Sequence, residues 1–256
     1  MPDTALPAPM QEEGRRFSVG ILLSRGLSVW FSNLPLFLGI SLLCHLPLVF
    51  FFRGSANAAV ARELEKVGGL LQPLITAIVS GAVIRGVFEQ LRGGRASFRD
   101  SLEAAIGSFW RIVATTFAAA LVALFFGLLL IVPGIMMVCS YFVAVPAAVV
   151  EGTGLSDSLG RSRKLTEGYR WHVFAFYVVM FLGLIVVSGI LGEVLFSSKQ
   201  MSRFLMTKGT IQALISNVVP NAIFDSLTAV FPGVAYYQLR VVKEGIDIEQ
   251  LAAVFD

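Results

Sequence analysis

Charge is what this chain has least of. Asp, Glu, Lys and Arg make up 14% of its 256 residues, against about 25% in an ordinary soluble domain. So few charges cannot cover the surface of a soluble fold of this length, and that class is excluded. Cysteine occurs twice, at Cys44 and Cys139, both inside apolar runs. They read as small buried hydrophobes and carry no redox information. Catalytic motifs are missing as well: no HExxH, GxSxG, phosphate-binding loop or CxxC occurs. A facing pair of intramembrane aspartates is excluded because only Asp225 lies deep in an apolar run. No aromatic and basic residues interleave as nucleic-acid binding would need. The expectation is a protein that is not an enzyme and needs no metal or cofactor.

What is abundant is apolar sequence, 56% of the chain. Residues 34–52, 67–84, 112–150 and 173–192 contain no Asp, Glu, Lys or Arg. A membrane core needs about 20 apolar residues in a helix, so these are spans. The run 112–150 is long enough for two, and Pro133-Gly134 marks the break, since proline suits a helix's first turn. Spans are predicted near 34–52, 67–90, 112–131, 133–150 and 172–195. The stretch "SNVVPNAIFDSLTAVFPG" (216–233) is apolar but interrupted by Asp225, and crosses only as one helix over about 211–238 that carries the carboxylate at mid-depth. A re-entrant segment near 211–224 is the lesser alternative.

The fold class expected is thus an all-α integral membrane protein with six transmembrane helices in three hairpins. Of the 20 basic residues, 14 fall on the side of the N-terminus and 6 on the other. This bias places both termini in the cytoplasm and the chain in the inner membrane. Residues 1–16 read as a disordered tail, 17–240 as the membrane domain and 241–256 as a cytoplasmic segment. A cleaved signal peptide does not fit, because the charged region before the first span is too long.

Three segments resemble one another: "FSVGILLSRGLSVWF" (17–31), "SFRDSLEAAIGSFWR" (97–111) and "SDSLGRSRKLTEGYRW" (156–171). Each ends in or near a tryptophan, namely Trp30, Trp110 and Trp171. In the middle copy Phe98, Leu102, Ala105, Ile106 and Phe109 follow helical spacing. Interfacial amphipathic helices near 17–31, 97–109 and 155–169 are predicted, with tryptophan at headgroup depth. The repeating unit is an interfacial helix plus a hairpin: 17–90, 97–151 and 155–240.

The stretch 128–174 carries Pro133-Gly134, Tyr141, Pro146, Glu151, Ser158-Leu159, and an Arg-Ser-x-x-Leu-x-x-Gly run through Arg161, Ser162, Leu165 and Gly168. It resembles the glycerophosphoryl diester phosphodiesterase membrane-domain family and the related YciC-type uncharacterised inner-membrane proteins. The resemblance implies a multi-span module, in some members attached to a soluble phosphodiesterase domain. With two histidines, His45 and His172, and no room for a catalytic barrel, the chain does not inherit that activity.

Two groups of side chains are candidates for function. Asn217, Asn221, Asp225 and Thr228 recur at helical spacing and form one stripe, which in a membrane faces a bundle interior or wet cavity. Counting depth makes His45 the first-choice partner of Asp225 and Arg85 the second. Alternatively, the stripe serves only as interhelical hydrogen bonding. Arg161, Arg163 and Lys164 form a basic cluster able to hold anionic lipid headgroups or an acidic partner protein, or to serve simply as a topology anchor. The functional expectation is a non-catalytic membrane module that organises lipid or partner proteins. The alternative is a small transporter or permease working through the Asp225 stripe.

Overall fold

The computed structural model describes residues 17–52, 58–92, 94, 97–196 and 218–245, all its regular elements being helices. The expected tail 1–16, Asn217 and most of 241–256 lie outside the described residues, as does the start expected for the last span. In chain order the helices are α1 (Val19–Ser32), α2 (Leu34–His45), α3 (Leu48–Phe52), α4 (Ala58–Leu91) and α5 (Phe98–Leu129). They continue as α6 (Ile131–Ser140), α7 (Ala144–Val150), α8 (Leu155–Thr166), α9 (Arg170–Phe196) and α10 (Val219–Glu244). Four stretches are long and apolar enough to cross a membrane: Ala59–Leu91, Phe98–Leu129, Ile131–Val150 and Arg170–Val187. The pair α1–α2, bent by 78°, makes a fifth if it counts as one span. The chain is a helical, multi-pass membrane protein.

Side-chain size decides which faces meet. On α5 the buried residues are Ser101, Ala105, Ser108, Ile112 and Thr115, while Trp110 and Leu128 are each more than three-quarters exposed. Of the periodic set Phe98, Leu102, Ala105, Ile106 and Phe109, Phe98 and Ile106 point outward and only Ala105 is fully buried. Lipid is as apolar as leucine, so large side chains gain little by turning inward, and small ones allow helices to approach. Size rather than hydrogen bonding makes this contact, because Ser101 Oγ and Thr115 Oγ1 have no partner. The middle interfacial helix is also not separate. No proline interrupts 98–129, and α5 runs through as one helix.

The first and third interfacial helices do stand apart, as α1 and α8. Ser18 caps α1 by accepting from the Ile21 amide, and the chain turns at Asn33 with Pro35 in the first turn of α2. Trp110 and Trp171 are exposed, but Trp30 is 9% exposed and donates to Ser226 Oγ at 3.3 Å. It is a core residue of the bundle.

The α5–α6 turn falls at Leu130, and Pro133 stands in the first turn of α6, where no amide donor is needed. Gly134 lies so close to α5 that a Cβ there would sit 2.6 Å from Gly127 Cα and 2.9 Å from its nitrogen. Backbone cannot move aside as a side chain would. Gly134→Ala should therefore lower stability by about 1–3 kcal/mol, seen as a lower melting temperature of the detergent-purified protein. Gly39→Ala, where nothing lies within 4 Å, should not. Equal melting of the two variants would contradict the tight α5–α6 packing.

The least hydrophobic long helix is the best enclosed. α10 carries Asn221, Asp225, Gln238 and Arg240 and packs against α4, α1, α2, α7 and α8. From Ala229 to Arg240 all but Pro232 are buried. α9 by contrast touches chiefly α6 and α1, meets α10 through Phe176 and Phe231, and exposes its apolar residues from Phe181 to Val187 and at Ile190.

Candidate functional site

Three helices are interrupted, or carry a proline, at the same place. α2 ends at His45, just before Pro47; α4 contains Pro73; α10 has Pro220 in its first described turn. Pro47 and Pro73 lack an amide donor and so loosen the backbone hydrogen bonding next to them, whereas Pro220, in a first turn, needs none. Between them lies a polar cluster of buried His45 and Asp225 with half-buried Gln72 and Thr76. His45 Nε2 lies 3.2 Å from Asp225 Oδ2, with the imidazole fully buried and the carboxylate 11% exposed. Thr76 Oγ1 donates to the same oxygen at 2.7 Å. Gln72 Nε2 lies 3.4 Å from Asp225 Oδ2 and 3.2 Å from His45 Nε2.

The other ring nitrogen fixes the tautomer. His45 Nδ1 is 2.7 Å from the Ser41 carbonyl oxygen, which can only accept, so Nδ1 carries hydrogen. Nε2 is the nitrogen that faces the carboxylate. Gln72 Oε1 and Ser41 Oγ are buried without partners.

Of the residues singled out by sequence, His45 and Asp225 are thus together. Arg85 is paired with Glu89 at 2.8 Å, one turn along α4. Thr228 donates back to the Phe224 carbonyl at 2.8 Å, and Asn221 is half-buried on the same helix. Gln72 and Thr76 were missed as Asp225 partners, although their i, i+4 spacing was a legible signal of one polar face.

A second cluster lies where α7, α8 and α10 converge. Arg161 Nε donates to Glu151 Oε1 at 2.6 Å, and its Nη1 reaches Glu244 Oε1. Arg240 Nε donates to Glu244 Oε2 at 3.0 Å, and the Tyr236 hydroxyl donates to Glu151 Oε1 at 2.5 Å. Two arginines and two glutamates cancel, so this clasp is neutral and closed. Burial works against the Arg161 charge, but the hydrogen bonds it donates to Glu244 and Glu151 outweigh this and hold the guanidinium above its usual range. Burial likewise opposes ionisation of Glu244, yet its bonds to Arg161 and Arg240 hold its carboxyl below the usual carboxylate range. Such a group stabilises above its unfolded value, near pH ~4.3, and that stability is lost as pH falls through the lowered folded value. Melting temperature should therefore drop on acidification below about pH 4, and Glu244→Gln should flatten that drop. An unchanged acid profile in Glu244→Gln would overturn the assignment.

The same region repairs a broken helix. Between α6 and α7 the Ala144 amide turns to the Tyr141 carbonyl, which leaves the Ser140 carbonyl without its usual partner. Ser162 Oγ at 2.8 Å and Thr166 Oγ1 at 3.1 Å donate to it from α8. Arg163 and Lys164 point the other way and are exposed, and the Lys243 ammonium donates to the Lys164 carbonyl at 2.8 Å. The basic cluster therefore divides: Arg161 serves the fold, and Arg163 and Lys164 face outward. No group of three or more metal-ligating side chains occurs among the described residues.

The family whose model matches residues 100–239 is described as a domain of unknown function (DUF7847). No curated protein matches, and no solved structure does.

Proposed function

The chain belongs to that family, and on this premise we propose that it is a non-catalytic module of the cytoplasmic membrane that organises anionic lipid around its Glu151 end. One observation carries the reading: Arg163, Lys164 and Lys243 stand together with no carboxylate in ion-pair range among the described residues, while Arg161 and Arg240 beside them are neutralised. The clasp holds the three cations in a fixed patch, and each basic side chain near an anionic surface contributes about 1 kcal/mol. The excess of basic residues on this side supports six crossings in three hairpins with both termini cytoplasmic. The resemblance of 128–174 to stand-alone inner-membrane modules supports the same reading.

The test is lipid retention by purified protein in bilayers of phosphatidylcholine and phosphatidylglycerol. The variant Arg163→Gln, Lys164→Gln, Lys243→Gln should retain at least tenfold less phosphatidylglycerol with its melting temperature kept. Unchanged retention refutes the lipid reading, and an acidic partner protein that co-purifies only with wild type would replace it. For topology, single cysteines at Asn57, Arg95, Gly160, Leu205 and Gln250 should label out, in, in, out, in. Labelling of position 250 from outside would remove the sixth crossing.

A second reading, a small permease, is favoured by the buried His45–Asp225 pair, since ionisable residues inside a membrane mark ion and proton paths. It requires that Asp225→Asn abolish flux without loss of expression.

A further inference from the structure

We propose that His45, Asp225 and Gln72 form a reversible one-proton site within the membrane domain. The inference does not rest on the lipid reading, which concerns the opposite end of α10. It follows from lone pairs. Nδ1 keeps its hydrogen on the Ser41 carbonyl at 2.7 Å. A neutral ring therefore turns a lone pair toward Asp225 Oδ2, 3.2 Å away, and an ionised carboxylate would turn another toward it. One proton between Nε2 and Oδ2 removes that conflict and leaves the pair with zero net charge, the form that is cheapest to bury.

The proton-free form, with one more negative charge, also has its donors. One N–H of Gln72 lies against His45 Nε2 at 3.2 Å, its other N–H serves Asp225 Oδ2 at 3.4 Å, and Thr76 donates to Oδ2 at 2.7 Å. In this arrangement Gln72 Oε1 is buried without a donor. A half-turn of the amide brings Oε1 to where it accepts from a protonated Nε2. Gln72 can therefore follow the proton, offering its N–H groups to the proton-free pair and its oxygen to the protonated one. A static ion pair would require no such group.

Along α4 the nearer charged residue is Lys66. Lys66 precedes Gln72 by six residues, about 9 Å along α4, whereas Arg85 follows by 13, about 20 Å. Few other titratable groups face the site. α2 adds only the Cys44 thiol and α3 none. α4 has Arg62, Glu63, Glu65 and Lys66 at the near end, and Arg85 and Glu89 at the far end. α1, which packs on α10, carries Arg25, exposed. The next titratable residues of α10 are Tyr236 and Tyr237. On uptake a hydronium ion delivers one proton to the pair and leaves as water; release reverses this.

The experiment is ¹⁵N NMR of full-length, histidine-labelled protein in phosphatidylcholine and phosphatidylglycerol bilayers. His172→Gln leaves the His45 signals alone in the spectrum. Across a pH series Nδ1 should remain an N–H nitrogen while Nε2 switches between protonated and lone-pair states. Gln72→Leu should move the pH of that switch, and Asp225→Asn should abolish it or move it by more. Should Asp225→Asn not fold, Thr76→Val takes its place, removing one donor from Oδ2 and again moving the switch. An Nε2 in one unchanging state in wild type overturns the proposal, as does a switch at the same pH in every variant.

Discussion

Replacing His45 with leucine should destabilise the protein by about 3 kcal/mol, the upper range for leaving a buried polar group short of its hydrogen-bond partner. Leucine fills much of the imidazole's volume, so the loss is chemical rather than a cavity. Asp225, with 11% of its side chain exposed, keeps Thr76 and Gln72 but loses its only basic partner among the described residues. The control is His45→Leu with Asp225→Leu, which removes both members. Replacing both members of a buried pair with apolar residues is commonly neutral or better, so the double variant should melt above the single one. Thermal unfolding of the detergent-purified protein, followed by tryptophan fluorescence, reads both. A single variant as stable as wild type, or a double no better than the single, would mean that the pair does not hold α2 to α10.

That His45 and Asp225 meet was legible because depth can be counted: each lies near the middle of an apolar stretch, and a carboxylate there needs company. Their surroundings were less legible. Gln72 and Thr76 face the same way on α4, but sequence alone does not say which helix α4 meets. On α5 burial follows size: the packed stripe is the small one, Ser101, Ala105 and Ser108, while the periodic Phe98 and Ile106 are exposed. The burial of Trp30 was not legible, since its indole N–H finds Ser226, 196 positions away. The continuity of α5 was there to be read, because nothing between Phe98 and Leu129 can stop a helix.

The motif over 128–174 acquires a physical account residue by residue. Pro133-Gly134 sets the tight α5–α6 approach, and Tyr141 stands at the α6–α7 break. Ser162 covers the carbonyl that the break exposes, and Leu165 is 1% exposed beneath it. Glu151 and Arg161 form the clasp. Gly168, with φ +84°, occupies the left-handed region that a side chain would strain. All of these are parts of one joint between a broken helix and the helix that seals it. The polar site around Asp225 lies elsewhere, on helices that this motif does not include.

Arg161→Leu should be the most damaging change at that joint, at about 3 kcal/mol, the low end for a broken buried pair because its side chain is a quarter exposed. Glu244 would then keep Arg240, and Glu151 only the Tyr236 hydroxyl. Arg161→Lys should restore only part of the loss, since one ammonium cannot bridge both carboxylates as the guanidinium fork does. Arg163→Leu, two residues on and exposed, should leave stability within about 0.5 kcal/mol. Because the clasp ties α8 to α10, its loss should speed amide hydrogen exchange in Leu155–Thr166 more than in α4 or α5. It should also flatten the acid dependence assigned to Glu244, whose lowered range comes first from Arg161. If Arg161→Leu and Arg163→Leu behave alike in melting and exchange, the clasp does not hold α8 in place, and the basic cluster is a topology anchor throughout.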